Sequence, residues 1–185
     1  MNIEQIRSLF PITKEAIYLN SASQAPMNTL VNNRLQNHIK SEMNFIGKKG
    51  FDRDMIRIPL SKLLGGSPEE YALTTSTGVG LGIVSQGINF KDGDNIVLPE
   101  FEHWNNTFPW LDLEKKGVEI RYAKLNKDNS FDPESFEKLV DNNTRVVTVA
   151  AVRFNSGFRP NLSAIGEIAH QKGALFVVDA AQAAG

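Results

Sequence analysis

The sequence predicts an α/β fold built on a mostly parallel sheet, and three observations carry that expectation. From about residue 71 onward, strand-like and helix-like stretches alternate along the chain. Residues 145–152 (Arg-Val-Val-Thr-Val-Ala-Ala-Val) are nearly all apolar and β-branched. A strand apolar on both faces is buried on both, as in a parallel sheet covered by helices. Residues 174–178 (Ala-Leu-Phe-Val-Val) repeat the pattern as a second doubly buried strand, ending at Asp179.

Each element has its own local reason. Ile3, Ile6, Leu9 and Phe10 recur at helical spacing, and Pro11 ends that helix. Ile17-Tyr18-Leu19 is a short extended stretch that leads into the small, polar loop Asn20-Ser21-Ala22-Ser23-Gln24. A helix is expected from Pro26, at the favoured first-turn position, into the forties. Another spans about residues 53–64, with a kink at Pro59 and a stop at Gly65-Gly66. Then come a strand at 71–74, a helix at 79–88, a strand at 95–98, a helix at 104–116 and a strand at 118–122. Asp132 is a good N-cap, Pro133 sits at the first helical position, and Phe131 and Phe136 occupy the two places of a hydrophobic staple. Residues 161–172 form a helix with Leu162, Ile165, Ile168 and Ala169 on one side, stopped by Gly173.

Composition bounds the function. The chain has 185 residues, net charge −1, 41% hydrophobic and 22% charged residues. That is globular composition, long enough for a sizeable core. Near-neutral charge predicts neither a nucleic acid nor an anionic membrane as partner. No apolar run approaches the roughly 20 residues of a membrane span. The N-terminus lacks a basic start and an apolar signal core, so a cytoplasmic protein is expected. Zero cysteines exclude disulfides, thiolate metal sites and a cysteine nucleophile within these residues. His38, His103 and His170 are too scattered for a metal set, and His38 and His170 read as surface residues.

In open parallel sheets ligands bind beyond the carboxyl ends of the strands. Four segments lie there. Ser76-Thr77-Gly78 follows a strand and opens a helix, so hydroxyls and free N–H groups suit a phosphate; the same turn also serves as a plain N-cap. It is neither a Walker loop nor a dinucleotide GxGxxG. His103 starts a helix just past a strand, placed to stack on a planar cofactor or shuttle a proton, or simply to face solvent. Asp179 directly follows five apolar strand residues, where a carboxylate needs a partner such as a cationic ring nitrogen, or caps the following turn. Gln182 lies three residues on. Arg153 and Arg159 either meet an anionic substrate or, as slightly favoured, are solvated loop arginines.

Taken together and in this order, these segments resemble the class V aminotransferase family of fold-type I pyridoxal phosphate (PLP) enzymes. That family includes cysteine desulfurases, selenocysteine lyases and isopenicillin N epimerase-like proteins. The resemblance begins at Ile17-Tyr18-Leu19-Asn20-Ser21-Ala22, similar to the family's "YLNNAA", and continues through Glu102-His103 and Gly157-Phe158-Arg159-Pro160-Asn161-Leu162. Its most specific part is Val177-Val178-Asp179-Ala180-Ala181-Gln182-Ala183-Ala184-Gly185. It implies a PLP-transferase-like large domain, three-layer αβα, incomplete at the C-terminus. Residues 1–66 would be an N-terminal helical arm with small-domain elements, and 67–185 the N-terminal part of the PLP-binding domain. The implied cofactor is PLP and the implied substrate an amino acid, in a complete enzyme that is a homodimer.

By the same resemblance, Ser76, Thr77 and Gly78 would hold the phosphate. His103 would stack on the ring and is a candidate for proton transfer. Asp179 would pair with the ring nitrogen and Gln182 would bond near the phenolic oxygen. Asn20, Ser21 and Arg159 would face substrate. Desulfurases show an Asn-containing "HVSN" where this chain has Val152-Arg153-Phe154; if Phe154 fills that Asn position, one phenolic-oxygen contact is missing or Asn155 replaces it. Thr77-Gly78 replaces the usual Thr-Thr pair, and both changes lean toward the epimerase-like branch. The family's Schiff-base lysine sits in an "SGHK"-like segment beyond the Asp. None of the 12 lysines matches it, the last being Lys172, expected to be solvated at a helix end. The chemistry implied is transamination, lyase or desulfurase chemistry, or epimerisation, by the N-terminal portion of a longer enzyme. The alternative is an inert truncated fragment, or half of a split enzyme that needs a partner chain. In the family the last strand sits beside the first of the large domain. The strand expected at 71–74 would then be cut off, leaving a gap or exposed apolar edges.

Overall fold

The computed structural model describes residues 2–44 and 52–184. Gly185, the last residue of the most specific segment, therefore lies outside the described residues. The chain divides into two compact units, Met1–Ile56 and Arg57–Gly185.

The first unit holds helix α1 (Ile3–Ser8), a 3-10 turn (Pro11–Lys14) and helix α2 (Thr29–Glu42). Asn2 and Gln5 close a capping box on α1. Helix α2 starts at Thr29, not at the expected Pro26, because the Asn28 side chain accepts from the Val31 amide and sets the first turn. Neither helix has a buried residue, and Ile17 and Leu19 are almost fully exposed. Helix α3 (Asp54–Leu64) carries Pro59 in its interior as expected, and the boundary between the units falls inside it.

The second unit carries helix α4 (Thr77–Gly87), strand β1 (Asn95–Pro99), helix α5 (Trp104–Leu111), strand β2 (Glu119–Ala123) and helix α6 (Pro133–Glu137). Strand β3 (Thr144–Ala150), helix α7 (Leu162–Gln171) and strand β4 (Leu175–Asp179) follow. The strands form one parallel sheet in the order β2-β1-β3-β4. The alternation of β3 divides the core. Val147 and Val149 face Phe136 of α6 and Ile165 and Ala169 of α7. Val146 packs on the other face with Trp110 of α5 and Leu113. Thr148, on that same side, donates to Asn106 of α5 at 2.7 Å. This is the three-layer αβα arrangement expected.

Several expectations need correction. The segment 104–116 is α-helical only to Leu111 and continues as a 3-10 turn, Asp112–Lys116. Asp132 occupies the N-cap of α6, but its carboxylate makes no cap; it accepts from Asn126 Nδ2 at 3.3 Å. The Phe131 and Phe136 rings do meet, 5.5 Å apart. Residues 71–74 form no strand, though Tyr71 is extended. The Tyr71 carbonyl takes the Arg57 Nε proton at 2.7 Å in place of a ladder partner. Strand β4 is not doubly buried. It lies at the sheet edge, so Leu175 is 53% exposed and Phe176, Val177 and Val178 only half-buried. A strand with one neighbour keeps an unpaired row of backbone groups.

The amino edge of the sheet is stapled by polar groups. Arg121 of β2 reaches Asp141 at 2.7 Å, Asn95 of β1 donates to Asp141 at 2.8 Å, and Thr144 of β3 donates to Asn95 at 2.7 Å. Arg121 above all holds the Asp141 carboxyl down at about 2. The unfolded carboxyl titrates near ~3.9. A depressed folded value gives stability that is present above that range and lost as pH falls toward about 2. Asp141 is 45% exposed, so screening limits the effect. Asp141→Asn is expected to flatten the acid limb of stability by about 1 kcal/mol or less, read as urea midpoints above and below that window.

Candidate active site

The topology singles out one place on the carboxyl edge. From β1 the chain moves outward to β2, then returns past β1 to β3 and β4. Helix α5 after β1 packs on one face, and α7 after β3 on the other. The loops leaving β1 and β3 therefore part in opposite directions, and that switch point is where open α/β sheets place ligands.

The loop after β1 begins with Phe101 at φ +51, a left-handed backbone conformation uncommon for a bulky aromatic. It turns the chain so that the Glu102 side chain points back at the sheet. Glu102 is buried, and its two oxygens accept from the Ala150 amide at 2.9 Å and the His103 amide at 2.8 Å. His103 then caps α5, its Nδ1 accepting from the Asn105 amide at 3.2 Å. An accepting Nδ1 carries no proton, which places the imidazole proton on Nε2. The ring, half-buried, lies 4.5 Å from Trp104 and 5.1 Å edge-on from Phe154. Phe154 thus packs against the histidine.

The loop after β3 begins with Arg153. The expectation of a solvated arginine fails here, since Arg153 is 1% exposed. Its Nη2 donates to the carbonyls of Glu100 at 3.1 Å and Phe101 at 3.0 Å, and its guanidinium lies over the Phe131 ring. Nε and Nη1 are buried with no hydrogen-bond partner among the described residues. Burial pushes the guanidinium below its usual range, and the Glu102 charge opposes that shift. Arg159 is exposed, as expected.

Asp179 ends β4 opposite Ala150 and is 7% exposed. Its carbonyl accepts from the Ala151 amide at 2.8 Å, and its Oδ1 accepts from the Ala181 amide at 2.9 Å. The turn-capping role therefore exists, and no donor among the described residues reaches Oδ2. Gln182 is exposed in the turn that follows.

Ser76 caps α4, its Oγ accepting from the Val79 amide at 3.2 Å. The Thr77 and Gly78 amides, first in the helix, have no acceptor among the described residues. Gly78 sits close to Asn105, since a Cβ there would lie 3.2 Å from its Oδ1. Asn105 thus joins the α4 turn to His103, while Glu102 and Ala150 join His103 to the end of β4. Asn20 and Ser21 lie in the first unit, exposed. A groove of about 600 Å³ runs between α4 and α5, lined by Gly78, Ile83, Trp104 and Phe108; Ser76, His103 and Asp179 are not part of it.

The roles of Glu102 and Arg153 escaped the sequence reading. For Arg153 the available signal was a charge directly abutting the apolar stretch 146–152. Among the described residues no helix is long and apolar enough to cross a membrane.

Known proteins share this fold. The chain is 32% identical to a "Probable cysteine desulfurase" of Methanothermobacter thermautotrophicus, over all of this chain and 48% of that protein. It is 31% identical to another so named from Halalkalibacterium halodurans, again over the whole chain and 50% of the relative. The chain spans about half the length of these relatives. Among solved structures, a cysteine desulfurase of Escherichia coli superimposes with TM-score 0.85 at 22% identity, covering 96% of this chain and 48% of that one. A variant of the protein C-DES, with glycine covalently linked to its PLP cofactor, matches with TM-score 0.84 at 20% identity, covering 96% and 50%. The family model for class-V aminotransferases matches residues 17–185. With the strands, the switch point and the ordered motifs all inside that match, the chain belongs to the class V aminotransferase family.

Proposed function

We propose that this chain is the cofactor-binding portion of a PLP-dependent class V aminotransferase-like enzyme acting on an amino-acid substrate. Residues 1–66 supply arm and small-domain elements, and 67–185 the N-terminal part of the cofactor domain. The observation that carries the reading is Asp179. It is a buried carboxylate at the end of a strand, with one oxygen that takes no donor among the described residues.

The residues fit the cofactor at both of its polar ends. The unpaired Thr77 and Gly78 amides at the positive end of α4, with the Ser76 hydroxyl proton, suit a phosphate dianion. Glycine at 78 lets the backbone approach without displacing Asn105. Asp179 suits a protonated ring nitrogen, and Gln182 the neighbouring phenolic oxygen. When bound, PLP supplies an electron sink for a bond broken at the substrate Cα. Asp179 keeps the proton on the ring nitrogen by charge. His103 presents an apolar ring face, with its mobile proton on Nε2 and Nδ1 held by Asn105. Trp104 and Phe154 flank it. Asn20, Ser21 and Arg159 are assigned to the substrate. A covalent anchor is not among these residues, since no lysine follows Asp179 in this sequence.

A second reading is a catalytically inert piece, or one half of a split enzyme that needs a partner chain. The open outer edge of β4 and the unpaired stretch 71–74 favour it. Titrating PLP into the chain, followed by borohydride, tests both. Reversible binding displaced by inorganic phosphate, with no lysine labelled, is expected. Absence of binding removes the cofactor assignment, and a borohydride-trapped lysine overturns the account of the missing anchor.

A further inference from the structure

We propose that Arg153 is a positioning residue that fixes the orientation and tautomer of His103 by clamping the left-handed Phe101 turn. A left-handed Phe costs free energy and persists only where its surroundings over-determine it. Here two devices hold it. Arg153 Nη2 bridges the two carbonyls on either side of the Phe101 amide plane, those of Glu100 and Phe101, and Glu102 ties the next residue to β3. The ring of Phe101 is itself 77% exposed, so packing does not explain its backbone.

A fully buried guanidinium with two nitrogens that find no acceptor among the described residues is an expensive tool. Both bonds leave the single nitrogen Nη2, so the cost is tied to one charged donor that reaches two backbone oxygens at once. Arg153 is held in turn by its own amide bonded to the Phe158 carbonyl at 2.9 Å, so the clamp is anchored on the loop after β3 and acts on the loop after β1. It spans the switch point. Downstream of the clamped turn, Glu102 orients the His103 amide, and the start of α5 then delivers the Asn105 amide to Nδ1. The catalytic meaning of that tautomer rests on the proposed function, but the clamp itself does not.

The test uses the whole chain without cofactor. Imidazole ¹⁵N spectra report the His103 tautomer, with His38 and His170 as internal references, and hydrogen exchange reports the Asn105 amide. Unaltered protein is expected to show the Nε2–H pattern at His103. Arg153→Met is expected to keep the β1 and β3 amides protected while His103 averages between tautomers and Asn105 exchanges about tenfold faster or more, as for a lost hydrogen bond. Arg153→Lys, which retains charge and a donor, is expected to keep the Nε2–H pattern. A folded Arg153→Met with an unchanged His103 pattern overturns the proposal. So does a folded Arg153→Lys that has lost the pattern, and that variant decides alone should Arg153→Met not fold. PLP titration of the unaltered chain fails or succeeds independently, so failure of the proposed function is distinguishable.

Discussion

Glu102→Ala is expected to destabilise the chain by about 3–5 kcal/mol, more than any other single side-chain truncation at the carboxyl edge. The carboxylate accepts from two backbone amides, one of them the buried Ala150 N–H of the central strand β3. Each buried donor left without an acceptor costs about 1–3 kcal/mol. It also supplies a negative charge that acts against the burial of Arg153. Truncation therefore strands a buried cation as well as two donors. Glu102→Gln keeps one acceptor and should cost about half as much. Arg153→Met removes the buried charge with its penalty, so it should cost clearly less than Glu102→Ala. Urea midpoints of the three variants check the order. Equal costs for Glu102→Ala and Glu102→Gln would show that the acceptor pair does not matter.

Asp179→Asn is expected to weaken PLP binding by about 10- to 100-fold, the worth of a charge-assisted hydrogen bond of about 1.5–3 kcal/mol. Asparagine keeps an oxygen for the Ala181 amide, so the turn cap and the end of β4 survive. What is lost is the negative charge facing the ring. The control is affinity for inorganic phosphate, which depends on the α4 turn and should not change. A binder that uses only Ser76-Thr77-Gly78 would hold PLP equally well in both proteins. That pattern would return the site to a phosphate-only reading. Fluorescence titration of PLP and of phosphate against both proteins separates the cases.

Local chemistry was legible in the sequence and long-range pairing was not. The run Val146-Val147-Thr148-Val149 announced a central strand because both its faces are written in its own side chains. The Phe131 and Phe136 pair and the Gly173 stop were legible for the same reason. Strand β4 reads equally apolar, but its exposure is decided by whether a neighbour pairs with it. The stretch 71–74 has strand composition without a strand partner. Arg153 shows the limit most clearly. Its sequence neighbours are Phe154, Asn155 and Ser156, typical of a wet loop, yet it is buried by carbonyls some fifty residues earlier in the chain. His103 and Asp179 were legible as residues at strand ends, and Ser76 as a helix cap. Their linkage through Asn105, Glu102 and Ala150 was not, since each link is a contact between separate loops.

The central claim is that Asp179 faces a protonated ring nitrogen across the carboxyl edge of the sheet. The most direct measurement is the ¹⁵N resonance of ring-labelled PLP bound to the chain. The account predicts a protonated nitrogen near neutral pH, and loss of that protonation in Asp179→Asn. A bound cofactor whose ring nitrogen is unprotonated in the unaltered chain, or protonated alike in both proteins, would contradict it.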